Sequence, residues 1–211
     1  MFKADIMNRI ENTGAMAIVR TESIERGIEI AEGCLAGGID VLEISYTLPN
    51  AGDVIHALAV KYTFKLLVGA GTVLDSETAR LAILAGAKFI IAPNFNKDVA
   101  TLCNRYQIPY APGCSTMTEM LIALEAGASF VKAFPISNFY GPGLVAIMST
   151  PIPNLPILAS GGANLENLTQ WIKAGTLCVG FGTLLTHGSS SEIESNAKKI
   201  RSIITETRSI L

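Results

Sequence analysis

Two residues in this chain carry charge where charge is least welcome. Lys132 lies in Gly127-Ala128-Ser129-Phe130-Val131-Lys132-Ala133-Phe134-Pro135, an apolar run that reads as a short buried strand. Glu43 lies in the equally apolar Val41-Leu42-Glu43-Ile44. A buried, unpaired ion is costly, so an amine in such a place is driven toward its neutral form. A neutral amine is a nucleophile that forms a Schiff base with a carbonyl substrate. Two bland readings compete: Lys132 snorkels past the strand end, or it pairs with a buried acid such as Glu43. A buried pair gains little net stability, so an acid/base and nucleophile pair explains both residues better.

The elements that would position them follow from a repeat. A helix ending in Ala-Gly, a small residue and a short apolar strand recurs at Ala36-Gly37-Gly38-Ile39, Ala85-Gly86-Ala87-Lys88, Ala126-Gly127-Ala128-Ser129 and Ala174-Gly175-Thr176-Leu177. Glycine there accepts the left-handed conformation that ends a helix. Between the repeats lie further strands at 15–20, 66–70, 108–111 and 156–160, which makes eight. Apolar faces (Ile24, Ile28, Ala31, Leu35; Val54, Ile55, Leu58, Ala59) mark helices between them. Thr116 with Glu119 forms a capping box, Asp75 or Ser76 caps the next helix and Asn164 the seventh. The first dozen residues read as an extra helix and 192–210 as the last outer one. No linker or low-complexity stretch divides the chain. The pattern predicts an α/β fold, a single-domain (β/α)₈ TIM barrel over 1–211 with an extra N-terminal helix. The structural alternative is an open sheet, though no Gly-x-Gly-x-x-Gly follows the first strand.

Catalytic groups of such barrels sit at the carboxyl ends of the strands. Those ends carry Arg20; Glu43 with Ser45 and Thr47; Gly69-Ala70-Gly71-Thr72; Pro93-Asn94; Pro112-Gly113; Lys132; Ser160-Gly161-Gly162; and Gly180-Phe181-Gly182. Gly161, Gly162, Gly180 and Gly182 offer unobstructed backbone N–H groups, and a helix starting near Asn164 would aim its positive end at them. A distal phosphate fits there, although glycines at strand ends also serve as turns. Arg20 is either a bidentate partner for a substrate carboxylate or a surface arginine. His56 falls on an outer helix, His187 in a polar turn, and Trp171 at a packing position.

Only 16% of residues are charged, 49% are hydrophobic and Gly counts 19, which suits strands covered on both faces with many tight turns. A net charge of −2 gives no reason to expect nucleic acid or an anionic membrane as partner. No apolar run approaches the ~18 residues of a span, and Met1-Phe2-Lys3-Ala4-Asp5-Ile6 lacks a signal-peptide core, so a cytoplasmic location is expected. Cys34, Cys103, Cys114 and Cys178 form no Cys-x-x-Cys pair and read as reduced structural thiols, with no metal site expected.

With Glu43, Gly69-Ala70-Gly71-Thr72, Pro93, Pro112-Gly113 and Val131-Lys132-Ala133-Phe134-Pro135 in this order, the chain resembles the 2-keto-3-deoxy-6-phosphogluconate and 4-hydroxy-2-oxoglutarate aldolase family. The resemblance covers nearly the whole chain. It implies a class I aldolase, a homotrimer of (β/α)₈ barrels that acts on a small keto acid and needs neither metal nor organic cofactor. It implies Lys132 as the Schiff-base lysine, Glu43 as the proton-transfer carboxylate and Thr72 as a contact of the pyruvoyl group, with Pro93 and Phe134 in the substrate site. Two departures matter. Thr47 stands where well-known members carry a carboxylate-binding arginine, a role that Arg20 can take. Gly182 stands where they carry a serine beside the phosphate. Ala133 and Ile136 also differ from the usual neighbours of the lysine. The competing readings are an aldolase for the galactonate epimer or an unphosphorylated keto-deoxy acid, a sugar-phosphate isomerase or epimerase using Glu43 and Lys132 as acid and base, and a barrel that binds a phosphorylated metabolite without turnover.

Overall fold

The computed structural model describes residues 1–211. Its strands are β1 (Ala15–Val19), β2 (Val41–Ser45), β3 (Leu67–Gly71), β4 (Ile90–Ile91), β5 (Tyr110–Ala111), β6 (Gly113–Cys114), β7 (Val131–Ala133), β8 (Ile157–Ser160) and β9 (Cys178–Phe181). All neighbours pair in parallel in the order β5-β4-β3-β2-β1-β9-β8-β7-β6. The ends of this sheet are two halves of one stave, since only Pro112 separates β5 from β6. The barrel therefore closes with eight staves. The expected fifth strand, 108–111 ending in Pro112-Gly113, continues instead to Cys114. Pro112 has no N–H to give, which interrupts the ladder there, but its carbonyl still accepts from Lys132 N–H at 2.8 Å.

Helices α1 (Lys3–Thr13), α2 (Ile24–Ala36), α3 (Ala51–Lys61), α4 (Ser76–Ala85), α5 (Lys97–Tyr106), α6 (Met117–Glu125), α7 (Ser137–Tyr140), α8 (Gly143–Ser149), α9 (Leu168–Lys173), α10 (Thr183–Thr186) and α11 (Ser190–Arg208) complete the chain. Thr116 and Glu119 form the expected capping box on α6, and Asp75 caps α4 through Thr78 N–H at 2.6 Å. A second box, Ser189 with Glu192, opens α11 two residues before the expected start. Asn164 does not cap a helix directly. Its Oδ1 accepts from Glu166 and Asn167 N–H at 2.9 and 3.0 Å, closing a turn that precedes α9. None of the helices is long and apolar enough to cross a membrane.

Strand side chains alternate between faces, so one parity points into the barrel and the other under the helices. The inward set at the amino end is Met16, Val41, Leu67, Phe89, Ile91, Ala111, Phe130, Leu158 and Cys178, packed with Ile6 and Ile10 of α1. Helix α1 thus stoppers that end, and burying each isoleucine contributes roughly 1.5–3 kcal/mol. Outward residues such as Ala17, Leu42, Val68, Val131 and Val179 join the larger core beneath the outer helices. With one end sealed by hydrocarbon, the polar residues of the same inward parity collect at the other.

Candidate active site

Two residues beyond the apolar floor, the inward parity brings in Ile18, Glu43, Gly69, Lys132, Ser160 and Gly180. β2 and β7 lie four staves apart in either direction around the closed barrel, so Glu43 and Lys132 face each other across it. Glu43 is 1% exposed. The strand beside it makes room: a Cβ on Gly71 would run into the Glu43 carboxyl group, and one on Gly69 into the Phe89 ring. The Gly69-Ala70-Gly71 motif is therefore a steric requirement of these two inward side chains. Burial pushes the Glu43 carboxyl above its ordinary range, while the positive charges of Lys132 and Arg20 pull it back in part. Its Oε2 is fully enclosed and has no hydrogen-bond partner. An orphaned buried carboxylate oxygen is a stability cost that calls for a functional reason.

Lys132 is 7% exposed, and its Nζ lies 4.9 Å from the centre of the Phe134 ring. The ion pairs of the chain are Arg9–Asp40, Arg26–Glu29, Lys61–Glu32 and Lys198–Glu194. Lys132 and Glu43 are thus not in contact as an ion pair, which removes the reading of a bridge that merely holds the core. Nor does Lys132 snorkel, since the residue stays buried.

A cavity of about 760 Å³ opens at the carboxyl end, and Lys132, Arg20, Thr47, Thr72, Pro93 and Phe134 line it together with Gly161, Gly162, Gly180 and Gly182. Every residue expected at the substrate site lines this cavity except Glu43, which lies enclosed beside Gly71. Arg20 is exposed on the cavity wall and makes no hydrogen bond or ion pair within the protein, so its guanidinium is available to an anion. Thr72 holds a left-handed backbone at φ 58°, unusual for a β-branched residue and common where function fixes the chain. Its hydroxyl is 2.8 Å from that of Ser45.

At the distal end, Gly161 and Gly162 have φ of 97° and 74°, conformations that favour glycine. A Cβ on Gly161 would also meet the Asn138 amide at 2.6 Å. Sequence reasoning missed Ile18, Ala163, Leu165, Glu166, Thr183 and Leu184 as lining residues. Parity counted from Glu43 and Lys132 points to Ile18, but no local signal marks the others. Thr183 supplies a hydroxyl next to Gly182. His56 and His187 are exposed and away from the cavity, and Trp171 is fully buried, as expected. No group of three or more His, Cys, Asp or Glu side chains is arranged to hold a metal ion.

The family model for KDPG and KHG aldolase matches residues 6–203. A 2-dehydro-3-deoxy-6-phosphogalactonate aldolase of Escherichia coli (strain K12) is 33% identical over 190 residues, covering 90% of this chain and 92% of that protein. A 2-dehydro-3-deoxy-phosphogluconate aldolase of Treponema pallidum (strain Nichols) is 32% identical over 79% of each. Among solved structures, a native KDPGal structure superposes with a TM-score of 0.87 at 31% identity, over 92% of this chain and 96% of the other. A buried lysine facing a buried carboxylate across an eight-stave barrel, and a family match over nearly the whole length, place this chain in the KDPG and KHG aldolase family.

Proposed function

We propose that the chain is a class I aldolase that cleaves a 2-keto-4-hydroxy acid to pyruvate and an aldehyde. The observation that carries this reading is Lys132, a buried amine without an ion-pair partner, facing the same cavity as an unpaired arginine and opposite a desolvated carboxyl group. Lys132 Nζ attacks the C2 ketone, and loss of water leaves a protonated imine. That cation draws electrons from the C3–C4 bond. Glu43, directly or through a water, takes the C4 hydroxyl proton, the bond breaks, and the aldehyde leaves an enamine. Return of the proton to C3 and hydrolysis release pyruvate and the free amine. A carboxyl group held above its ordinary range is suited to both taking and returning that proton. Arg20 and Thr72 orient the substrate carboxylate, Phe134 and Pro93 flank the pyruvoyl group, and Thr47 leaves the carboxylate to Arg20.

The substrates that fit are 2-keto-3-deoxy-6-phosphogluconate, its galactonate epimer and 4-hydroxy-2-oxoglutarate. Gly161, Gly162, Gly180 and Gly182, with Thr183 beside them, offer the distal end of the cavity to a phosphate. Pyruvate release from these three substrates and from unphosphorylated keto-deoxy acids tests the reading. Turnover of at least one supports it, and the absence of pyruvate from all of them sinks it. The reading includes a cytoplasmic homotrimer. Exposed apolar side chains, Phe139, Tyr140 and Ile147 on α7 and α8, support self-association, since each is at least 66% exposed in the single chain. Sedimentation equilibrium that returns a monomer mass would exclude the trimer.

A further inference from the structure

Ser45 does not line the cavity, yet its hydroxyl sits between two residues that do. It is buried at 2% exposure, two residues beyond Glu43 on the inward face of β2 and directly opposite Gly71. Tyr46 N–H donates to Gly71 carbonyl at 2.8 Å and locks that register. Ser45 Oγ lies 2.8 Å from Thr72 Oγ1, and Thr47 Oγ1 donates to Ser45 Oγ across a longer 3.4 Å.

A hydroxyl has one hydrogen to donate and two lone pairs to accept. Ser45 already accepts from Thr47. If it gives its own hydrogen to Thr72, the hydroxyls of Thr47 and Ser45 are each used once as a donor, and the hydrogen left over is that of Thr72, which lines the cavity. The left-handed backbone of Thr72 points the same way. Threonine is an awkward residue for φ 58°, and a glycine would be easier there, so the side chain is the reason for its presence.

We propose that Ser45 is a positioning residue: its hydroxyl holds that of Thr72 as a hydrogen-bond donor to the substrate carboxylate, with Thr47 as a second, weaker support. This rests on the aldolase reading and on Thr72 facing the carboxylate. Ser45 touches no substrate and acts only through Thr72. Thr47, which lacks the charge to bind a carboxylate, gains a role as the start of the hydroxyl row.

The test is pyruvate-dependent labelling by borohydride in the wild type, Ser45→Ala, Thr72→Val and the double variant. The pyruvate concentration for half-maximal labelling is read separately from the fraction finally labelled. A folding defect lowers the fraction, whereas a lost carboxylate contact shifts the half-saturation point. Ser45→Ala is expected to raise half-saturation by about three- to tenfold, the worth of one neutral hydrogen bond, and Thr72→Val by about tenfold or more, since the bond it loses is to a carboxylate. In the Thr72→Val background, Ser45→Ala is expected to add less than about twofold, because its partner is gone. Fully multiplying costs in the double variant, or a wild-type half-saturation point in Ser45→Ala, overturn the proposal while leaving the aldolase reading intact. Absence of any adduct on wild-type Lys132 overturns both.

Discussion

A single methyl group at Gly71 tests the inner layer of the barrel. A Cβ there would sit 2.5 Å from Cγ of Glu43 and closer still to its carboxyl atoms, whereas ordinary contact begins at 3.4 Å. The Glu43 carboxyl group has to withdraw by more than about 1 Å, and close packing offers it little space to do so. Overpacking of this kind costs about 1–3 kcal/mol. A reacting group misplaced by about 1 Å loses about 10²-fold in rate, and proton transfer as a whole contributes about 10²–10⁴-fold. Gly71→Ala is therefore expected to lower kcat for pyruvate release by about 10²-fold or more, while borohydride still labels Lys132 on the opposite stave. The assay couples pyruvate to lactate dehydrogenase, with thermal unfolding measured alongside. Gly143→Ala serves as control, since a Cβ there meets nothing within 4 Å. The double variant Gly71→Ala/Glu43→Ala should match Glu43→Ala in stability to within about 0.5 kcal/mol, because the three atoms nearest that Cβ all belong to the Glu43 side chain beyond its Cβ. A Gly71→Ala enzyme with kcat within about twofold of wild type would refute the steric account of the motif.

Four other outcomes follow from the structure. Burial holds the Glu43 carboxyl above its unfolded value of 4.5, so its proton stabilises the folded state below that pH, and this contribution is lost as pH rises through the folded value. The unfolding midpoint of the unliganded wild type should thus fall over that window and that of Glu43→Gln should not; parallel profiles would contradict it. The same variant is expected to form the imine and lose most turnover. Arg20→Met, which breaks no hydrogen bond or ion pair within the protein, should leave the melting temperature nearly unchanged and raise KM by about 10–100-fold, the worth of charge-assisted hydrogen bonds; an unchanged KM removes Arg20 from carboxylate binding. Burial pushes the Cys34, Cys103 and Cys114 thiols up to about 12. Cys178 is raised as well, so iodoacetamide at pH 8 should modify the unfolded chain only, as mass spectrometry would show.

Much of this site was legible in the sequence because barrel geometry turns order along the chain into position around a ring. The Ala-Gly repeats set the stave count, and the period-2 alternation places Glu43, Lys132, Gly180 and Gly182 on one face. What stayed hidden depended on contacts between segments. Pro112 read as a strand end because a missing N–H looks the same at an end and at an interruption. Asn164 read as a helix cap because its side chain satisfies a turn with the same hydrogen bonds. The separation of Glu43 from Lys132, which decides against an ion pair, depends on barrel diameter. Ser45 is an ordinary strand serine until Thr72 is brought beside it by the β2–β3 register. The α7–α8 excursion and Thr183 carry no motif at all.

The central claim is that Lys132 is the amine that forms the imine. Incubation with pyruvate and sodium borohydride, followed by intact-mass measurement and peptide mapping, tests it directly. The expected result is one reduced pyruvate adduct per chain, located on Lys132 and absent from Lys132→Met. An adduct on another lysine, equal labelling of Lys132→Met, or no adduct at saturating pyruvate would contradict it.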